Sequence, residues 1–186
     1  MLGAENVPLE GPVVLCPNHL SDCDPLALFV ASPRRDLRFV AKSELFGIPV
    51  LGAAISAMGA IPIRRDSPDR AALRRAEEIL REGRTLILFP EGRLSETGDL
   101  GAVQAGAALL AIQTGAPIVP VGLARTHWVL PYGHILPRRS RLPVRVQFDR
   151  PLMPATQADQ GIKAEVDSLT MRLEGRLRIL TGQTKG

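Results

Sequence analysis

Thr85-Leu86-Ile87-Leu88-Phe89 is an apolar run with Gly83 before it and Pro90 after it. It does not alternate with polar residues, so the strand it forms is covered on both faces, as in a parallel sheet with helices above and below. Other short segments fit the same sheet. Residues 13–17 read as a buried first strand, Arg38–Ala41 as a second and Ala60–Ile63 as a third. Pro117–Val121 is a further strand, which its prolines place at an edge. Val144–Phe148 alternates like a half-exposed strand. Helical stretches lie between them. One runs from Asp24-Pro25 to near Ser32-Pro33, with proline in the first turn. Short ones open at Lys42 and Pro49. Asp66-Ser67-Pro68-Asp69 starts another, whose apolar residues Ala72, Leu73, Ala76, Ile79 and Leu80 recur at helical spacing. Ala105–Thr114 stops at Gly115, and a last helix spans about Asp159 to Leu180. Residues 1–11 are a short arm or part of a helix, and 124–142 are irregular. The class is α/β, a mostly parallel sheet with helices on both faces.

The 186 residues fit a single domain, 1–186, with a sizeable core. The formal charge is +4 and the cations are 20 Arg against 3 Lys. Arginine's planar fork suits phosphate, so this balance favours an anionic partner, though base composition alone also produces it. Aromatics make up only 4%, which speaks against stacking on single-stranded nucleic acid, and no nucleic-acid partner is expected. Cys16 and Cys23 form neither a disulfide framework nor a zinc pattern and suit a reducing cytoplasm. Cys23 reads as a small apolar filler more readily than as a nucleophile. No signal peptide is visible. The uncharged runs 45–63 and 100–124 are broken by Gly and Pro and read as interior, the first also open to lipid contact.

In parallel sheets, sites form beyond the carboxyl ends of the strands. His19, Arg65 and Glu91 each follow a strand and converge on that edge. A strand turning into a helix can bring positions 19 and 24 back together. Asp24 then holds one ring nitrogen of His19 and leaves the other to take a proton from a hydroxyl. Taken singly, each has a plain reading: a structural histidine at a strand end, or Arg65 in a surface ion pair with Asp66 or Asp69.

Together the residues resemble a known family. Asn18-His19-Leu20-Ser21-Asp22-Cys23-Asp24 is similar to the H-x-x-x-x-D motif of the glycerolipid acyltransferases, the lysophosphatidic acid acyltransferase family. Gly59–Arg65 resembles its second block, Phe89-Pro90-Glu91-Gly92-Arg93-Leu94-Ser95 its F-P-E-G-x-x-S block, and Ala116–Gly122 its fourth. The resemblance implies acyl transfer from acyl-CoA or acyl-carrier protein, as co-substrate, to a lysophospholipid hydroxyl, without a resident cofactor or metal. It implies His19 as general base and Asp24 as its orienting partner. Arg65 is implied as phosphate ligand, Glu91 and Gly92 as shaping the acceptor pocket, and Lys42 or Arg93 as adding charge. Backbone amides near the 19–24 loop are candidate oxyanion donors. Arg93-Leu94 stands where many members have Thr-Arg, and Val103-Gln104 where a basic residue is common. These departures keep lysophosphatidylethanolamine and glycerol 3-phosphate open as acceptors. The chain opens almost at strand one, so a peripheral protein on the cytoplasmic, inner face of the cell membrane is expected. Its lipid contacts would come from 45–63, 124–142 and basic residues. Two other classes stay open. One is a metal-dependent hydrolase using His19, Asp24, His127 or His134, although no H-x-H or H-E-x-x-H pair exists. The other is a non-catalytic lipid-binding protein of the same fold.

Overall fold

The computed structural model describes residues 1–63, 70–134, 136–155 and 161–183. Its strands are β1 (Val13–Pro17), β2 (Leu37–Lys42), β3 (Ala60–Ile63), β4 (Thr85–Ile87), β5 (Ile118–Ala124) and β6 (Arg145–Phe148). They form one sheet in the order β3-β2-β4-β1-β5-β6. The first five are parallel and β6 is antiparallel to β5. Alternate residues of the central strands serve opposite layers. Val14, Cys16, Leu86 and Ile118 pack with α3 (Arg70–Arg81), α4 (Gly106–Thr114) and α6 (Ile162–Thr181). Val13, Leu15, Ile87 and Val119 pack with α1 (Asp24–Ala31), the 3-10 turn Ser43–Gly47 and α2 (Leu51–Ala57). Covering on both faces is therefore what the unbroken apolar run at 85–89 encodes. Each fully buried Leu or Ile contributes about 1.5–3 kcal/mol.

Three expectations change. First, β5 is interior, between β1 and β6. Pro120 is tolerated there because the pairing slips. Val121 lies opposite Phe148, but Ile118 lies opposite Leu152, so the two residues between them on β5 face three on the other side. A proline fits such a bulge, where the ladder needs no N–H. Second, 45–63 is not wholly interior. Ile48, Val50 and Leu51 are exposed, and α2 closes on the preceding turn through Gly52, where a Cβ would strike the Phe46 carbonyl. Third, 124–142 includes a short helix, α5 (Thr126–Val129). The helix starts expected at 66–69 and at 159 lie outside the described residues. In α6, Val166, Leu169, Leu173 and Leu177, at three- and four-residue spacing, are buried, while Ile162 is exposed. The helix closes on β5 at Gly122, where a Cβ would stand 2.9 Å from that of Leu180.

A charged staple holds the opposite end of the sheet. Arg34, buried, donates to both carboxylate oxygens of Asp36 at 2.9 and 2.6 Å and to the carbonyls of Pro8, Gly11 and Gly83. The Arg34 hydrogen bonds hold the Asp36 carboxyl down to about 2, from an ordinary 3.8. Its folded value lies below its unfolded one, so the stabilisation is present above about pH 4 and is lost as pH falls toward 2. Asp36→Asn is expected to lower the unfolding free energy at pH 7 by about 1–2 kcal/mol. In urea titrations the gap from the parent should close between pH 4 and 2. A gap independent of pH would contradict the staple.

Candidate active site

After β1 the chain crosses to one face through α1. After β4 it returns through α4 on the other. Because β1 and β4 are neighbours, a crevice opens between their carboxyl ends. His19 and Glu91 stand on its two sides. The His19 ring stacks on Phe89 with centroids 3.9 Å apart and planes 25° apart. Its Nδ1 lies 2.9 Å from Asp24 Oδ2. A carboxylate accepts, so the proton sits on Nδ1 and Nε2 carries the free lone pair. No hydrogen-bond partner meets Nε2 among the described residues, and the His19 side chain is 9% exposed.

Asp24 is the first residue of α1, with Pro25 in the first turn, as the sequence implied. The helix start aims its carboxylate back over the loop. Oδ2 also accepts the amides of Leu20 and Ser21 at 2.6 and 2.9 Å, so one oxygen fixes both ring and loop. Asp24 is fully buried. Asn18 secures the other flank. Its side chain donates to Leu123 O at 3.1 Å and accepts from Leu123 N at 2.7 Å, extending the β1–β5 pairing past Pro17.

Glu91 is buried and holds main chain. One oxygen accepts His19 N at 2.8 Å and the other accepts Gly101 N at 2.7 Å, while Ser95 N donates to His19 O at 2.8 Å. The F-P-E-G segment thus supports the histidine from beneath, through Phe89, and at its backbone, through Glu91. Glu91→Gln turns an amide N–H₂ toward one of these donors. It is expected to cost about 1–3 kcal/mol of stability in denaturant titrations. Stability equal to the parent would show that the brace carries no load.

The 19–24 loop has little left for an oxyanion. The amides of His19, Leu20, Ser21, Cys23 and Asp24 all have acceptors, and only that of Asp22 has none among the described residues. Lys42 ends β2, exposed, at the same edge as Ile63, its partner in register on β3. Gly92, in a left-handed turn with φ 67°, and Arg93 are exposed beside the crevice loop. Arg65 lies outside the described residues. Burial pushes the Cys23 thiol up, which disfavours a nucleophilic thiolate. No group of three His, Cys, Asp or Glu side chains among the described residues is placed to hold a metal ion. An apolar cavity of about 260 Å³, with Val40, Leu73, Leu88 and Leu110 in its wall, lies on the α3–α4 face. The Phe89 that carries the His19 ring packs on the opposite face.

A family model described as Acyltransferase matches residues 1–124. The chain belongs to the acyltransferase family. It is 37% identical over 134 residues to the chloroplastic 1-acyl-sn-glycerol-3-phosphate acyltransferase of Brassica napus, covering 70% of this chain and 38% of that protein. With the 1-acyl-sn-glycerol-3-phosphate acyltransferase of Borreliella burgdorferi it shares 34% identity over 127 residues, 67% of this chain and 50% of the other. It therefore spans half or less of these curated relatives. The crystal structure of the 1-acyl-sn-glycerophosphate acyltransferase of Thermotoga maritima matches with TM-score 0.73 at 26% identity, over 99% of this chain and 71% of that one. In this acyltransferase-family chain the crevice residues from Asn18 to Ser95 fall inside the matched segment, whereas α5 and the loop after it lie beyond it.

Proposed function

We propose that the protein transfers a fatty acyl group from a thioester, acyl-CoA or acyl-carrier protein, to the free hydroxyl of a lysophospholipid. The acceptor named in its relatives, 1-acyl-sn-glycerol-3-phosphate, is the first choice. The observation that carries this is the His19 ring, gripped at Nδ1 by Asp24, clamped on Phe89 and left with Nε2 unpartnered. Nε2 removes the hydroxyl proton as the acceptor oxygen bonds to the thioester carbonyl carbon. The carbonyl electrons form an oxyanion and then return to expel sulfur. The imidazolium gives its proton to the leaving thiolate, so ester and free thiol result and the base is restored. Asp24 stabilises the imidazolium through Nδ1. No acyl-enzyme forms and no resident cofactor enters the step.

Arg65, two positions beyond β3, is assigned the acceptor's phosphate, with Lys42 and Arg93 adding positive charge at that edge. Glu91 and Gly92 shape the acceptor side by fixing the loop under His19. Both substrates are amphiphiles, and the protein is assigned to the cytoplasmic face of the cell membrane as a peripheral enzyme. No helix among the described residues is long and apolar enough to cross a membrane. The test is thiol release from palmitoyl-CoA with lysophosphatidic acid, lysophosphatidylethanolamine, glycerol 3-phosphate or no acceptor. Release that depends on lysophosphatidic acid supports the first-choice acceptor. Preference for another acceptor moves the assignment to it, and release without acceptor would identify a thioesterase.

A further inference from the structure

The segment after β5 carries a surface chemistry unlike the rest of the chain. Its exposed Trp128 and Tyr132, 45% and 57% accessible, are the chain's single Trp and single Tyr. Leu136 is 75% exposed beside them in sequence. Arg138, Arg139 and Arg141 follow, exposed and without ion-pair partners among the described residues. The amide of Arg138 donates to Val129 O at 2.6 Å, so the loop returns on itself and brings the cations back to the aromatic turn. No Asp or Glu occurs between Asp99 and Asp149, so nothing in this stretch of sequence opposes the cations. Amphipathic aromatics beside unopposed arginines match the boundary of an anionic bilayer, where rings sit at headgroup depth and cations meet lipid phosphates.

The loop is also tied to the catalytic turn. Ser21, between His19 and Asp24, donates its hydroxyl to Leu130 O at 2.6 Å, and Cys23 Sγ donates to Thr126 O at 3.6 Å. We propose that Trp128, Tyr132 and Leu136 with Arg138, Arg139 and Arg141 form a docking surface for anionic lipid that sets the His19 crevice against the bilayer. This deepens the acyltransferase reading and rests on it for its purpose, since an acceptor seated in the membrane then reaches Nε2 without leaving the lipid phase. The surface lies outside the segment that matches the family model.

The test is co-sedimentation of the full chain with vesicles of phosphatidylcholine, with and without phosphatidylglycerol, in the absence of thioester. The parent should bind the anionic vesicles preferentially. The triple variant Arg138→Ala, Arg139→Ala, Arg141→Ala should bind them about 100-fold more weakly, and Trp128→Ala should weaken binding to both vesicle types. Removing the same charge from α3, at Arg74, Arg75 and Arg81, should leave binding within a few fold. Equal loss in that control would reduce the effect to overall charge and overturn the proposal, as would a triple variant that binds like the parent. Vesicle binding kept by the triple variant, with activity lost only when acyl-carrier protein is the donor, would assign the surface to that acidic protein and overturn lipid docking. Binding is read without turnover. A chain that docks through this loop yet transfers no acyl group would therefore sink the enzyme reading and leave the docking surface standing.

Discussion

Replacing His19 by alanine is expected to lower acceptor-dependent acyl transfer by about 10²–10⁴-fold, the usual contribution of a positioned base. A glycerol hydroxyl is a weak nucleophile, and among the described residues of the crevice no other side chain offers an unpartnered basic nitrogen beside Asp24. The fold should survive. The main-chain bonds of residue 19, to Glu91 and Ser95, do not depend on the ring. The check is an initial-rate assay at saturating thioester, with circular dichroism to show that the variant is folded. A folded variant within tenfold of the parent would remove His19 from the chemistry.

Asp24 should show the largest combined effect. Its Oδ2 accepts from the His19 ring and from the amides of Leu20 and Ser21, all in a fully buried position. Asp24→Ala leaves three donors without an acceptor and is expected to cost about 3–5 kcal/mol. That is a large share of the 5–15 kcal/mol that holds a typical domain. Asp24→Asn keeps the shape and one acceptor oxygen, so it separates stability from chemistry. It should lose only about 1–3 kcal/mol in urea, yet slow turnover by about 10²–10⁴-fold because the imidazolium loses its counter-charge. An Asn variant with parental turnover would mean that the carboxylate serves the loop alone.

Much of this was legible in the residues, for reasons that are local. The apolar run at 13–16 and the acid–proline pair at 24–25 each state their structure within a few positions. The chain between them is short enough that position 24 must return near 19. The sheet edge on which His19 and Glu91 meet follows from β1 and β4 running the same way. What was not legible depends on contacts between distant segments. The prolines of β5 argued for an edge strand. Its interior place rests on a pairing slip against residues 148–152, which no pattern within 117–121 reveals. Glu91 reads as a pocket residue from its motif, whereas its carboxylate bridges two amides 72 and 10 residues away. Asn18 was visible only as part of a motif, and its clamp on Leu123 joins residues 105 apart. Nothing in the sequence singles out Arg34 and Asp36, because the carbonyls that Arg34 reaches, at Pro8, Gly11 and Gly83, come from other turns. Long-range polar contacts of this kind leave no periodic trace.

The proposed step is direct passage of an acyl group from thioester to lipid hydroxyl, with His19 as the base. Its most direct test follows an isotope-labelled acyl group from acyl-CoA to 1-acyl-sn-glycerol-3-phosphate, with the parent and with His19→Ala under the same conditions. Labelled diacyl product should appear with the parent, matched by an equal amount of free thiol, and should fall to about 1% or less with the variant. Labelled product at the parental rate from His19→Ala, or thiol released with no label in the lipid, would contradict the assignment.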